Sequence, residues 1–339
     1  MHILIIGGTR FVGYQLVWRL LAAGQRVTIL NRGRTPDPFG NHERGNSIER
    51  LVADRTTPDF ARVLAGRRFD AVVDFAAYTA ADARGAVAAL NGRVEHYVFI
   101  SSGQVYLVRA GCPWPAREAD YDGALIPDPT NDEEDHANWV YGVEKRAAED
   151  VLANAWASAR FPATRLRIPM VNGERDHFRR TESYLWRLLD GGPIILPDGG
   201  TRPMRHVYSG AVVQAIGALL GNAATFGEAY NLSQDETPTL AEMVSVLAEL
   251  LGARARVVAV PSDAIRAAGL TPAAISPFSD PWMSQLDASK AKTALGFQHE
   301  PWRSYLDKIV ACFINHPPTA PPENYAQREQ ERVLAARWS

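Results

Sequence analysis

The chain carries a tyrosine and a lysine whose spacing suits acid–base chemistry, in the segment "YGVEK" at residues 141–145. On an α-helix, Tyr141 and Lys145 are four residues apart and therefore lie on one face. An ammonium close to a phenol is expected to lower the pKa of the phenol from about 10 towards neutrality, which makes the hydroxyl a usable acid or base. Taken alone, this spacing is common on solvated helix faces, so its meaning depends on the elements around it.

A strand pattern that ends in two serines precedes this helix. The segment "HYVFISS" at residues 96–102 reads as a buried strand. Ligands bind beside the carboxyl ends of the strands in open α/β sheets, so a serine at this end is expected to face the binding crevice. The serine, the tyrosine and the lysine therefore belong to one predicted active site.

A glycine turn near the amino terminus predicts a site for a dinucleotide. The segment "HILIIGGTRFVG" at residues 2–13 reads as a strand, a turn and the start of a helix. Gly7 permits the tight turn, Gly13 lets helix and strand pack closely, and the helix N-terminus offers N–H groups to a pyrophosphate. A turn that merely requires a positive φ is the alternative interpretation. The order strand, turn, helix, strand favours the dinucleotide.

Arginines surround the predicted ribose end of this site. The second strand ends in "ILNRGR", so Asn31 occupies the position where an NAD site usually carries a carboxylate. Arg32 and Arg34 follow it, and Arg10 lies in the first turn. A carboxylate would repel a 2′-phosphate, whereas guanidinium groups bind phosphate bidentately. We therefore predict NADP(H), with NAD(H) as the alternative cofactor; solvated surface arginines are the competing interpretation.

Alternating strand and helix patterns predict the fold class and the domains. Strands at "ILII", "RVTILN", "RLVAD", "DAVVDFA" and "HYVFISS" alternate with helical patterns that include residues 58–66, 79–91 and 138–156. This alternation predicts an α/β, Rossmann-like, doubly wound parallel sheet with a smaller mixed α/β C-terminal domain for the substrate. The expected boundaries are 1–170 for the dinucleotide domain, with a return segment near 207–232, then 171–206 and 233–316 for the substrate domain, and a Pro-rich extended tail at 317–339.

The net charge, the lengths of the apolar stretches and the number of cysteines argue against several classes of function. A net charge of −2 predicts no nucleic-acid partner, and no stretch is apolar enough to predict a membrane span. Two cysteines are too few for a disulfide framework, and the first residues lead straight into a strand, so we expect a cytoplasmic protein. No His, Cys or carboxylate spacing predicts a metal site.

With these motifs in place, the chain resembles the extended short-chain dehydrogenases/reductases, the superfamily of the NAD-dependent epimerases and dehydratases. "SSGQVY" is similar to the serine motif and "YGVEK" to the Tyr/Lys motif of that family. The resemblance implies that Ser102, Tyr141 and Lys145 are catalytic. "GGTRFVG" with "LNRG" also resembles an atypical subgroup related to chloroplast stem-loop RNA-binding proteins.

The resemblance extends to binding residues. It implies cofactor contacts along the first turn, at the ends of the next strands and at the catalytic helix, namely Gly7, Thr9, Arg10, Phe11, Val12, Gly13, Asn31, Arg32, Asp54, Ala76, Lys145 and Pro169. For the substrate it implies Gln104, Asn172 and Arg205, with Arg202 as the weaker choice for an anionic group. Tyr208 and Ser209 stand where the family usually has two aspartates. A homodimer is expected because it is common among the relatives.

The predicted activity is hydride transfer at a hydroxyl or ketone carbon of a small molecule such as a nucleotide sugar. The motifs do not separate a reductase from an epimerase. The predicted NADP(H) slightly favours a reductase, because the resemblance implies that NADPH is the usual reducing cofactor and that nucleotide-sugar epimerases mostly hold NAD. A 4,6-dehydratase is disfavoured, because Gly103 and Gln104 replace the Asp-Glu pair that eliminates water in such enzymes. The non-enzymatic alternative is a nucleotide- or RNA-binding relative; the intact Ser/Tyr/Lys set and the acidic balance speak against it.

Overall fold

The computed structural model describes residues 1–40 and 42–338 of the chain. Over these residues, contacts group the chain into two units. The first unit comprises Met1–Pro169, Ser209–Ser233 and Ser284–Gln298. The second comprises Met170–Tyr208, Gln234–Met283 and His299–Ser339.

The strands are short and mostly buried. In chain order they are β1 His2–Ile6, β2 Arg26–Asn31, β3 Glu49–Val52, β4 Ala71–Asp74, β5 Tyr97–Ser102, β6 Ala163–Ile168, β7 Val171–Asn172, β8 Pro193–Pro197, β9 Val207–Tyr208, β10 Ala229–Asn231 and β11 Arg256–Val260.

The helices alternate with these strands. In chain order they are α1 Phe11–Ala22, α2 Glu43–Asn46, α3 Asp59–Leu64, α4 Ala80–Leu90, α5 Gln104–Leu107, α6 Glu133–Ala159, α7 Arg180–Leu189, α8 Ser209–Leu219, α9 Leu240–Leu251, α10 Ser262–Ala267, α11 Pro272–Ile275, α12 Ser289–Leu295, α13 Trp302–Asn315 and α14 Arg328–Ala335. Among the described residues, none of these helices is long and apolar enough to cross a bilayer.

The first unit is built on a parallel sheet. Within the described residues this sheet has seven strands in the order β10-β6-β5-β4-β1-β2-β3. Ile3 of β1 pairs with Val27 of β2 on one side and with Ala71 of β4 on the other. The chain therefore runs outward from β1 to β3 and then returns to β4 on the opposite side of β1. This reversal is the switch point at which doubly wound sheets bind their ligands, and it confirms the predicted fold class.

Burial explains why these segments form strands and helices. Residues Ile3 to Ile6 of β1 are all buried, as expected of a strand covered on both faces. In α1, Leu16, Val17 and Leu20 lie at helical spacing and are buried, which confirms the predicted amphipathic helix. Helix α6 begins earlier than predicted, because the carboxylate of Asp132 caps it by accepting the N–H groups of Glu134 and Asp135.

The second unit has its own core. Thr239 caps helix α9: its hydroxyl accepts from the N–H of Glu242, and the Glu242 carboxylate accepts from the N–H of Thr239. Buried side chains of α7, α9 and α13 pack together, among them Leu185, Leu247 and Leu306. Strands β8 and β11 pair in parallel beside this core.

The structure differs from the sequence prediction at the C-terminal segments. Residues 317–339 were predicted to be an extended tail, yet the chain is helical from Glu323, first as a 3-10 turn and then as α14. The reason is that Arg187 and Glu331 form a buried ion pair and Leu334 is buried in an apolar cluster. Residues 284–298, which the prediction assigned to the substrate domain, group with the first unit instead.

We expect the Glu331→Gln variant to destabilise the protein strongly. Both members of the Arg187–Glu331 pair are only 1% exposed, so the substitution leaves a buried guanidinium without its counter-charge. The expected loss is about 3–5 kcal/mol of unfolding free energy, measured by denaturant titration of the second unit's transition.

The matched control is Glu329→Gln in the same helix. Glu329 is 81% exposed and lies 3.9 Å from Arg332, so its replacement is expected to change stability by less than about 0.5 kcal/mol. Equal stability of the two variants would show that α14 does not depend on the buried pair.

Candidate active site

The glycine turn between β1 and α1 brings helix and strand into close contact. A methyl group added to Gly13 would lie 2.5 Å from the Cα of Gly8, so any side chain at this position forces the two segments apart. Gly7 and Gly8 have φ values of +95° and +82°, which favour glycine. Thr9 and Arg10 complete the turn, and the predicted residues Phe11, Val12 and Gly13 form the first turn of α1. Such a cradle fits a pyrophosphate, as the sequence predicts.

The predicted ribose end lies where β2 and β3 end. Asn31 closes β2, and its side-chain oxygen accepts the N–H of Gly33 at 2.8 Å. Arg10 is exposed and donates to the hydroxyl of Thr35 at 3.4 Å. Asp54 follows β3, accepts from Thr56 and lies in the field of Arg32 and Arg34. These arginines therefore gather on one edge of the sheet, as expected for parallel strands.

Ser102 and Tyr141 meet at the carboxyl end of β5. Ser102 is the last residue of β5, and its hydroxyl oxygen accepts the backbone N–H of Gln104 at 3.1 Å. Tyr141, on α6, is a neighbour of Ser102, which lowers the pKa of the tyrosine. The structure therefore brings the predicted serine and tyrosine together at this end of the sheet.

Lys145 lies one turn further along α6 and is held by the sheet. Its Nζ donates to the carbonyl oxygens of Ala77 at 2.7 Å and of Ile100 at 2.9 Å. The ammonium also lies 6.0 Å from the centroid of the Tyr141 ring. Ala77 and its neighbour Ala76 belong to the loop after β4, so this loop, β5 and α6 converge on the lysine.

Burial controls the charges at this site. Desolvation lowers the pKa of Lys145 to about 8, against the opposing fields of Asp74 and Glu149. Desolvation also raises the pKa of Tyr141 to about 12, although the bond to Ser102 lowers it. The expectation that the lysine lowers the tyrosine pKa is therefore wrong for this structure, because burial of the phenol raises that pKa. At neutral pH Tyr141 is a protonated phenol, ready to donate.

A buried ion pair anchors α6 to the sheet. Glu149 lies on the same face of α6 as Lys145 and accepts a bidentate contact from Arg167 of β6, with Nη2 at 2.6 Å. Glu149 also accepts the hydroxyl of Ser101 at 2.5 Å, and Arg167 donates to Tyr106 at 2.6 Å. Although burial raises the pKa of Glu149, Arg167 holds it below its ordinary value. The pair fixes the register of α6 against β5 and β6.

A second buried carboxylate shapes the loop after β4. Asp74 ends β4 and is fully buried. It pairs with Arg55 at 2.9 Å, accepts the hydroxyl of Tyr97 at 2.6 Å, and accepts the N–H groups of Ala76 and Ala77. Asp74 therefore sets the direction of the carbonyl group that receives Lys145. The predicted residue Ala76 lies within this loop.

The remaining predicted residues lie in different settings. Pro169 is buried directly after β6, and Gln104 is buried at the start of α5, where it donates to the amide oxygen of Asn138 at 3.2 Å. Asn172 and Arg205 belong to the second unit. Asn172 is buried and its amide nitrogen contacts the Nδ1 of His206 at 2.8 Å, while Arg205 is half-buried. Their contact with substrate stays a prediction.

The sequence reasoning missed the residues that position the site. Glu149 stands four residues after Lys145, so the helical spacing that paired the tyrosine and lysine also marks it. Asp74 is a polar residue at the carboxyl end of a buried strand, which is the same signal that singled out the serines. Arg167 and Arg55 gave no comparable signal, because a lone arginine in a strand or loop does not reveal its burial.

Together these features define a class of protein. A doubly wound sheet, a glycine turn at its switch point and a Ser–Tyr–Lys set at the end of β5 are the parts of a nicotinamide-dependent short-chain oxidoreductase. A sequence profile of the NAD dependent epimerase/dehydratase family matches residues 3–233. The chain belongs to this family of NAD-dependent epimerases and dehydratases.

Individual known proteins are similar to the chain at low identity. The 2′-dehydrokanamycin reductase of Streptomyces kanamyceticus is 27% identical over 268 residues, which are 78% of this chain and 70% of the reductase. The chloroplast stem-loop binding protein of 41 kDa b of Arabidopsis thaliana is 26% identical over 74% of this chain and 63% of its own length. The fold matches dTDP-glucose 4,6-dehydratase from Bacillus anthracis in complex with NAD, with a TM-score of 0.72, 16% identity and coverage of 93% and 97% of the two chains.

We expect Gly13→Ala to weaken dinucleotide binding at least about tenfold, because the new methyl group displaces α1 from the turn that should hold the pyrophosphate. Binding is measured by titration of the protein with reduced nicotinamide dinucleotide. The control is Gly85→Ala in α4, where an added methyl group meets nothing within 4 Å. Unchanged affinity in the Gly13 variant would argue against this turn as the pyrophosphate site.

Proposed function

We propose that the chain is an NAD(P)-dependent oxidoreductase that transfers hydride at a hydroxyl or ketone carbon of a sugar. The observation that carries the proposal is the convergence of Tyr141 and Ser102 at the end of β5, with Lys145 one turn away on the same helix as the tyrosine. When bound, the nicotinamide cofactor supplies or accepts the hydride. Everything else in the reaction is proton transfer and orientation by the chain's own side chains.

The roles of the side chains follow from their protonation. Tyr141 is protonated at neutral pH, since burial raises its pKa to about 12, so it is suited to donate a proton to the oxygen of a ketone under reduction. Ser102 binds the same oxygen and stabilises the charge that develops there. Lys145 orients the nicotinamide ribose and stabilises the phenolate that remains after proton donation. A protonated phenol suits the reduction step, which a reductase and an epimerase share. We rank a reductase above an epimerase because of the proposed NADP(H), the usual reducing cofactor.

The residues around the ribose end support NADP(H) over NAD(H). Asn31 replaces the carboxylate that would repel a 2′-phosphate, and Arg10, Arg32 and Arg34 surround this end of the site. Similar folds, including that of the dehydratase from Bacillus anthracis, are known in complex with NAD. We propose that the arginines distinguish this chain from such relatives.

The serine motif argues against water elimination. A side chain at Gly103 would lie 2.7 Å from the Cβ of Ser284, so an acidic residue cannot be added there without displacing that segment. The side-chain amide of Gln104 donates a hydrogen bond to Asn138, and it contains no group that can act as an acid or a base. The positions of the Asp-Glu pair therefore offer no group to remove or deliver a proton, and a 4,6-dehydratase is disfavoured.

The substrate class that we favour is a small keto sugar. The name of the Streptomyces relative describes a reductase of a keto group on an aminoglycoside, and that of the Bacillus anthracis enzyme describes chemistry on a nucleotide sugar. Both names therefore refer to a reaction at a ketone or hydroxyl group of a sugar. The assay is therefore a panel of nucleotide-linked and glycosidic keto sugars, followed through the absorbance of the reduced nicotinamide.

An RNA-binding function is the second candidate, because the Arabidopsis relative is named for binding a stem-loop. The net charge of −2 and the intact Ser/Tyr/Lys set speak against it. Filter binding of structured RNA at low salt separates the candidates: tight, salt-sensitive binding without turnover of any keto sugar would favour the RNA-binding role.

For Tyr141→Phe we expect kcat for ketone reduction to fall by about 10²–10⁴-fold, because the proton donor is lost while the ring is kept. The affinity for reduced cofactor should stay within about twofold, since the hydroxyl faces Ser102. The two quantities are measured by steady-state kinetics and by cofactor titration. Full turnover in this variant would refute the catalytic scheme.

For Arg10→Gly, which restores the glycine usual in the extended relatives, we expect NADPH to bind about tenfold more weakly and NADH to bind as before. The guanidinium is exposed, so its removal should leave stability unchanged. NADH is the internal control, because only the 2′-phosphate distinguishes the two ligands. An equal loss for both would assign Arg10 to the pyrophosphate instead.

A further inference from the structure

Tyr78 lies over the ammonium of Lys145 and has no role in the scheme above. It belongs to the loop after β4, and the centroid of its ring is 5.0 Å from the Nζ of Lys145 and 6.3 Å from that of the Tyr141 ring. Its phenol also raises the pKa of Tyr141, behind the effects of burial and of Ser102. Tyr78 therefore touches both side chains of the proposed acid–base pair.

The exposure of the surrounding rings shows which one separates the lysine from water. Lys145 is only 2% exposed. The Phe99 ring, 4.6 Å from Nζ, is fully buried in β5, whereas Tyr78 is 50% exposed. A ring that contacts the ammonium on one face and solvent on the other is the outer wall of the lysine's pocket.

The backbone of Tyr78 is fixed, so this placement is built into the loop. Its N–H donates to the carboxylate of Asp82 at 2.9 Å, and the same carboxylate accepts the N–H of Thr79 in the capping box of α4. On the other side, Asp74 holds the N–H of Ala77. Tyr78 thus stands between two anchored residues, directly after the carbonyl group that accepts from Lys145.

We propose that Tyr78 is a positioning residue for the reaction: its ring shields the Lys145 ammonium from water and keeps it against the carbonyl groups of Ala77 and Ile100. This inference rests on the proposed function for its catalytic meaning, but the shielding is a property of the protein alone. The lowered pKa of Lys145 agrees with it, because desolvation is the largest cause of that shift.

Each element that packs against Lys145 contributes charged or titratable groups around its ammonium. Asp74 of β4, Asp82 of α4 and Glu149 of α6 raise its pKa, and Arg55, which follows β3, lowers it. Tyr141 of α6 and Tyr78 itself complete the set. Substitution of Tyr78 leaves all the other groups in place, so a change in the titration of Lys145 reports on the ring.

The test exploits the small number of lysines. The chain contains four, namely Lys145, Lys290, Lys292 and Lys308. Replacement of the last three by arginine leaves Lys145 as the sole lysine, and labelling with ¹³C at Cε then gives one resonance whose pH dependence is its titration curve. The measurement uses the full chain without substrate, and the variants are Tyr78→Ala, Tyr78→Phe and Tyr78→Leu in this background.

We expect the starting protein and Tyr78→Phe to titrate near pH 8, since both keep the ring. Tyr78→Ala admits water, so its midpoint should rise by about one pH unit or more towards the ordinary 10.5. Tyr78→Leu keeps an apolar cover without the π face, so its midpoint should not rise. Tyr78 is half exposed, and its substitutions are therefore expected to fold.

An unchanged or lowered midpoint in Tyr78→Ala would overturn the shielding role. A rise in Tyr78→Leu equal to that in Tyr78→Ala would overturn it as well, since an apolar cover would then not suffice. The absence of turnover with every keto sugar would count against the proposed function alone, because the titration needs neither cofactor nor substrate.

Discussion

The buried contact between Glu149 and Arg167 holds α6, the helix that carries Tyr141 and Lys145, in its place. Without it, α6 would be held by apolar packing and by the hydrogen bonds of Lys145 to Ala77 and Ile100, and apolar packing does not fix the position of a helix along its axis. The charge pair joins α6 to β6, and the bond from Ser101 joins it to β5. Tyr141 is two turns away on the same face, so its distance from Ser102 follows from this anchor.

A second buried ion pair, between Asp74 and Arg55, holds Lys145 from the loop after β4. Asp74, paired with Arg55, sets the loop whose carbonyl group receives Lys145, and the lysine in turn pins the middle of α6. Both anchors are ion pairs buried away from water. Removal of one partner from such a pair strongly destabilises a protein, and the pair forms only when the two side chains are well oriented. The candidate site is thus held by ion pairs inside the sheet, while Ser102 and Tyr141 lie at the carboxyl end of β5.

Periodicity was sufficient to predict the doubly wound sheet and the glycine turn, because each depends on local pattern. The proximity of Tyr141 and Ser102 was predicted from the position of the serine at a strand end and from the resemblance of both motifs to those of the family. The helical C-terminal segment was mispredicted, since its prolines indicate an extended chain while the Arg187–Glu331 pair that orders it joins residues far apart in sequence. The protonated state of Tyr141 was missed for a similar reason. A pKa depends on burial, and one helix face does not reveal what covers it.

The most direct test of the account is to identify the dinucleotide that the protein retains. The purified chain is incubated with an equal mixture of NADP(H) and NAD(H), freed of unbound ligand and denatured, and the released nucleotide is quantified by mass spectrometry. The account predicts that NADP(H) is recovered in excess over NAD(H). Recovery of neither dinucleotide would contradict the central claim that this fold and its Ser–Tyr–Lys set operate on a nicotinamide cofactor.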